Sequence, residues 1–108
     1  MNSAGGGVGP VLHATPFARS VIAAIEDENE EVRVIDEGAY LRVLVPLVCR
    51  LSRAGLEAAT GAAVQLPGDL EVVMSSFTGR LELTEEGAVW RLARREPTGS
   101  SATPAGRK

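Results

Sequence analysis

Side chains able to do chemistry are scarce in this chain. It has one histidine, His13, and one cysteine, Cys49. A nucleophilic triad needs a histidine set between a nucleophile and an orienting acid, and no such pair flanks His13 in sequence. The sharp reading of His13 is a catalytic or ligand residue. The plain reading is a surface or strand-end residue. A zinc site needs about four Cys, His or carboxylate ligands, more than one cysteine and one histidine supply. Cys49 stands in LVCRL, an apolar setting that suits a buried, inert thiol better than a nucleophile. The glycines of GGGVGP, Gly5 to Gly7, lack the GK[ST] ending of a phosphate loop and its strand-before, helix-after context. They read as a flexible tail. EDENEE carries five acids between Glu26 and Glu31. It is either a solvated helix end or a patch that steers a basic partner.

Catalysis by this chain alone is therefore poorly supported, and binding becomes the better prospect. The formal net charge of −3 opposes sequence-independent binding of nucleic acid, which needs a basic face. Arg94-Arg95 is too short to supply one, and no aromatic pair sits on a strand to stack on RNA bases. The longest apolar run, Leu44 to Cys49, cannot span a bilayer. The N-terminus has no secretory pattern. A single cysteine fits a reducing compartment, so the expected location is cytoplasmic.

The elements that must present a binding surface follow from periodicity and caps. At 108 residues, one domain is the prior. Residues 1–7 and 96–108 have the composition of disordered tails, leaving 8–95 as the folded part. Val8 to Ala14 reads as a first strand, with Pro10 suited to an edge or a strand start. Thr15-Pro16 is a helix entrance, and Phe17, Val21, Ala24 and Ile25 follow at helical spacing. That helix should end within EDENEE, with Asn29 in a left-handed cap. Val32 to Ile35 and Ala39 to Val45 read as a hairpin around Asp36-Glu37-Gly38. Ser52 caps a second helix, Leu51 and Leu56 are spaced as a hydrophobic staple, and Gly61 ends it. The expected order is β-α-β-β-α-β-β, an α+β domain with two helices on one face of a mostly antiparallel sheet.

The stretch DLEVVMSSFTGRLEL, residues 69–83, raises a question. Leu70, Val72 and Met74 alternate as in a strand, and Leu81 and Leu83 resume the alternation. Between them lie Ser75, Ser76, Phe77, Thr78, Gly79 and Arg80. Two readings fit the interruption. It is a β-bulge that bends the sheet, with Phe77 in the core. Or it is an interaction surface, with small side chains that admit a partner and Phe77 and Arg80 as anchors. Ala88 to Leu92 should pair with this strand through the turn at Glu85-Glu86-Gly87.

Three motifs bear on that choice: VGPVL at 8–12, GAYLRV at 38–43 and LEVVMSSFTGRL at 70–81. With Leu51-Ser52-Arg53 at a helix start, they resemble the small coupling, or effector, proteins of soluble diiron monooxygenases, in the branch that serves toluene and alkene monooxygenases. The resemblance covers about residues 8–92, with departures in the tails and in Glu26 to Glu31. It implies a protein with no metal, no organic cofactor and no activity of its own. Such proteins dock over the helices that carry the hydroxylase's diiron centre, and couple NADH oxidation to hydrocarbon oxidation. A flavin and iron–sulfur reductase, and often a Rieske-type ferredoxin, complete the system. The resemblance favours Ser75 to Arg80 as hydroxylase-binding, and Val8, Gly9 and Pro10 as a further contact. A monomer is expected when free. The competing class is a small-molecule-sensing regulatory domain of βαββαβ type. A small hydrolase or isomerase would need an acid–base pair that the sequence does not offer.

Overall fold

The computed structural model describes residues 7–92. The expected tails at 1–6 and 96–108, and Arg94-Arg95, lie outside that range. Gly7, read from composition as the end of the first tail, is buried against Leu44.

Ten elements occur in the order β1 (Gly9–His13), α1 (Pro16–Glu28), β2 (Arg33–Asp36), β3 (Tyr40–Leu44), β4 (Val48–Ser52), α2 (Arg53–Thr60), α3 (Gly68–Val73), β5 (Met74–Thr78), β6 (Arg80–Thr84) and β7 (Gly87–Arg91). The α+β class and the antiparallel pairing are as expected. The strands form two sheets, ordered β2-β3-β1-β5 and β4-β7-β6.

Where local signals were strong, the chain follows them. Thr15 accepts a hydrogen bond from Ala18 N at 3.0 Å and Pro16 opens α1. Val21 and Ile25 are fully buried along one face of that helix, as 3.6-residue periodicity requires. Ser52 caps α2 through Gly55 N at 2.9 Å, and Gly61 closes it in the left-handed region. Leu51 and Leu56 both enter the core at the predicted staple.

Four expectations are corrected. Asn29 ends α1 in an extended conformation, and the positive φ falls on Glu31 instead. The reason is a side-chain engagement. Asn29 Nδ2 donates to Arg50 O and its Oδ1 accepts from Arg50 N, at 2.8 and 2.9 Å. Next to it, Glu28 accepts from Ser52 N and from Ser52 Oγ, at 3.0 and 2.7 Å. The acidic run therefore fastens the end of α1 to β4 through Glu28 and Asn29, while Glu26, Asp27, Glu30 and Glu31 stay exposed.

The second correction is β4 itself, an additional strand that runs from the LVCRL stretch into Ser52. It pairs with β7 and brings Cys49 opposite Trp90. The third is α3. Residues 68–73 are one and a half turns of helix rather than a strand. Leu70 and Val73, three apart, are buried, and Val72 points into solvent at 82% exposure. The fourth is the interruption after Met74, which is itself the strand β5.

The core is one cluster shared by both sheets and the helices. It includes Leu12, Ile25, Leu41, Leu56, Leu70 and Trp90. Trp90 is fully enclosed, and among the described residues its Nε1–H has no hydrogen-bond acceptor. Such a donor costs about 1–3 kcal/mol, a cost set against the burial of a large ring.

Candidate docking surface

Two of the possible chemical residues stand apart from any constellation. His13 is exposed at the end of β1, its ring 5.2 Å from that of Tyr40. Cys49 is fully buried, and burial first, then the nearby Glu28 carboxylate, push its thiol up to about 12. It is no nucleophile near neutral pH. A raised folded value favours the protonated thiol in the folded state. Its contribution to stability is present below the unfolded value near 9 and is lost as pH rises from there through about 12. Two results are therefore expected. Cys49 will react with a thiol reagent only at the rate of unfolding, and stability will fall across that alkaline window. A fast reaction of the native chain with such a reagent at pH 8 would contradict this. Among the described residues, no group of three His, Cys, Asp or Glu side chains is placed to hold a metal. None of the helices there is long and apolar enough to cross a membrane.

The stretch from Ser75 to Arg80 has a distinct geometry. β5 is the outer strand of its sheet, paired on one side with β1. Ser76 faces Val11 and Met74 faces Leu12, so Ser75 is the extra residue of a β-bulge. Its hydroxyl donates to Val11 O at 3.2 Å. A β-bulge is thus present, at Ser75. The surface reading is consistent with the same strand: Ser75, Ser76, Phe77 and Thr78 are all exposed.

Register settles where Phe77 lies. Its cross-strand partner is Pro10, and directly paired residues project to the same face of a sheet. Pro10 is fully buried and alternates with Val8 and Leu12, which belong to the core cluster. Phe77 therefore lies on the core side at the outer edge, with one part of its ring against the protein and 44% of its surface open.

Gly79 is where the chain leaves one sheet for the other. Its φ is +101°, and a Cβ there would lie 2.6 Å from Arg91 O and 2.8 Å from Val8 Cγ1. Only glycine fits both the dihedral and the space. Arg80 follows at the start of β6, exposed and directly opposite Arg91. Arg91 has Glu82 at 3.7 Å, whereas among the described residues Arg80 has no acid within ion-pair distance. Like charges facing each other across a sheet are unfavourable, so Arg80 is well placed to accept an acidic partner.

Val8, Gly9 and Pro10 are located differently. All three are buried. Val8 exchanges two hydrogen bonds of 2.9 Å with Val45, and Gly9 packs on the Val43 carbonyl at a φ of +150°, where a Cβ would collide. These three residues hold β1 beside β5 and against the Gly79 junction, and are buried.

The sequence pattern of the MmoB/DmpM family matches residues 7–91. The chain is 40% identical over 85 residues to the effector subunit of the alkene monooxygenase system of Xanthobacter autotrophicus Py2, a match spanning 77% of this chain and 83% of that protein. Among solved structures, a chain from a phenol hydroxylase–regulatory protein complex superposes with a TM-score of 0.71 at 14% identity. It covers 78% of this chain and 95% of that one. At that identity the likeness concerns the fold.

Proposed function

The chain belongs to the MmoB/DmpM family, and from that premise we propose that it is the non-catalytic effector subunit of a multicomponent diiron monooxygenase. The observation that carries this reading is the 40% identity to an alkene monooxygenase effector over most of both chains. The shortage of catalytic groups agrees with it, and so does the exposed strand β5. A protein without a cofactor can alter an enzyme only by binding one of its conformations better than another. Here the partner is the diiron hydroxylase. Coupling of about 1–3 kcal/mol is typical of such effects, and by linkage the favoured hydroxylase state binds the effector more tightly by the same factor.

The docking residues in this reading are Ser75, Ser76, Phe77, Thr78, Gly79 and Arg80. Val8, Gly9 and Pro10 support them from alongside. The system also includes a reductase and a Rieske-type ferredoxin that deliver electrons from NADH, and it works in the cytoplasm. The free effector is a monomer.

The test is NADH-driven oxidation of a small alkene or toluene by hydroxylase, reductase and ferredoxin, with and without this protein. Product per NADH is the quantity to follow. The expected result is a rise of about fivefold or more in rate, the scale of a coupling of 1–3 kcal/mol, together with better use of NADH. An unchanged rate and yield at every ratio of components would reject the effector reading.

A further inference from the structure

Register shows which main-chain groups β5 leaves open. Val8 and Val45 exchange two hydrogen bonds of 2.9 Å, so the N–H and C=O of Val8 face the β3 side of β1. Along an antiparallel ladder these directions alternate. Gly9 therefore faces β5, where its partner is Thr78, and Thr78 directs its own N–H and C=O back to β1. Phe77, one residue earlier, directs both groups the other way. Among the described residues no strand lies on that side, and neither group has a main-chain partner there. The bulge at Ser75 does not disturb this stretch, because Gly9 to Val11 run in regular register against Thr78 to Ser76.

Unpaired main-chain groups at a sheet edge are completed by another extended strand. Charge indicates which one. β5 itself has no charged residue, but its two ends are charged oppositely. Glu71 is exposed on α3, just before Met74, and Arg80 is exposed just after Gly79. A second copy of the same strand, laid antiparallel, sets the base of each against the acid of the other. With Phe77 at the centre, Ser76 comes opposite Thr78 of the partner copy and Arg80 opposite Met74 of the partner copy. Glu71 stands about one helical turn before that methionine. Arg80, which faces Arg91 within its own chain, thereby gains an acid.

The side chains agree. In this register the two Phe77 residues are directly paired and project to the same face. Each ring, 44% open in the single chain, gains an aromatic neighbour. The contact is also short. Five residues make a strip about 17 Å long and one strand wide, far below the roughly 1,000 Å² expected of a lasting interface. Such a contact is reversible, and dilute protein stays monomeric.

We propose that two copies of this chain pair reversibly and antiparallel through β5, joining their four-stranded sheets into one. The inference stands without the effector reading. Where that reading holds, a paired effector has no free β5 to offer its hydroxylase.

The test is sedimentation equilibrium of the full chain from about 10 µM to about 1 mM, the range in which weak contacts of this kind form. The mean mass is expected to rise from one chain toward two, and less in high salt. Ser76→Lys, Arg80→Glu and Glu71→Arg all change exposed positions, so their thermal melts should match the parent. Ser76→Lys puts a charge on the edge and should abolish the rise. Either charge reversal should weaken the pairing about tenfold, since two exposed ion pairs become repulsions. The double variant Arg80→Glu with Glu71→Arg should restore it. A single-chain mass at every concentration overturns the proposal. So does an association that survives Ser76→Lys and both reversals, because it then uses another face.

Discussion

Gly79→Ala is expected to destabilise the folded chain by about 3–5 kcal/mol. Two costs combine. An L side chain at a φ of +101° is strained, by about 1–3 kcal/mol. The new methyl also has to displace the Arg91 carbonyl or Val8, and overpacking of this kind costs about 1–3 kcal/mol more. Neither neighbour can yield easily. Arg91 is held in β7, and Val8 is fully buried in the core. For a domain of this size each kcal/mol lowers Tm by about 4–8 °C, so a fall of about 12 °C or more is expected. The single tryptophan, Trp90, is buried, and its emission should follow the transition. A Tm within about 2 °C of the parent would show that the junction between the sheets relaxes freely, contrary to the geometry described.

The second large effect is expected on docking. Phe77→Ala should weaken binding to the hydroxylase by about 2 kcal/mol, roughly 30-fold, as truncation of an aromatic anchor does. Because part of the ring also packs on the core side, stability should fall too, by about 1 kcal/mol, a common size for point variants. The two effects separate experimentally. Excess effector restores the rate if the loss is in affinity, whereas a loss of fold appears in the melt without hydroxylase. Phe77→Leu keeps an apolar group and should recover part of the affinity. If Phe77→Ala reaches half-saturation at the parent's concentration, Phe77 is a core residue only, and the docking surface has to be redrawn around Arg80.

Much of this was legible in the sequence because the signals were local. Thr15-Pro16 and Ser52 place side-chain oxygens where the first free N–H groups of a helix need them. Gly61 supplies the left-handed residue that ends α2. Caps depend on neighbours within four positions, so they survive without knowledge of tertiary contacts.

The errors came from patterns that two structures share. Leu70, Val72 and Met74 alternate as a strand does, but Leu70 and Val73 also repeat at helical spacing, and burial selects the second pattern. Acids in the first turn, Asp69 and Glu71, were the available hint of a helix. β4 went unseen because a short apolar run is ambiguous by periodicity alone. Only pairing with β7, about forty residues later, makes it a strand. Asn29 was misassigned for a related reason. Its partner, Arg50, is 21 residues away, and no local rule anticipates that bond.

The candidate surface was partly legible. Ser75 to Arg80 stood out by composition and proved to be exposed or half-exposed at a sheet edge. Val8 to Pro10 stood out equally, by motif, and proved to be buried. A motif marks positions that a fold needs as readily as positions a partner touches.

The four outer strands of the two sheets differ in what they offer to a stray chain. β2 carries Arg33 and Asp36, and β6 alternates Arg80 and Glu82 with leucines. On β4, the Asn29 side chain occupies the N–H and C=O of Arg50 as a neighbouring strand would. β5, with the sequence MSSFT, has no charge and, among the described residues, no such cover; only the bulge at Ser75 interrupts its edge. Bare, uncharged edges are where proteins aggregate. The protection given to the other three shows what this one gives up to stay open. On the docking surface proposed above, an unoccupied effector carries a sticky strand that its hydroxylase would hide, and the safe amount of effector in a cell is then about the amount of hydroxylase available to cover it.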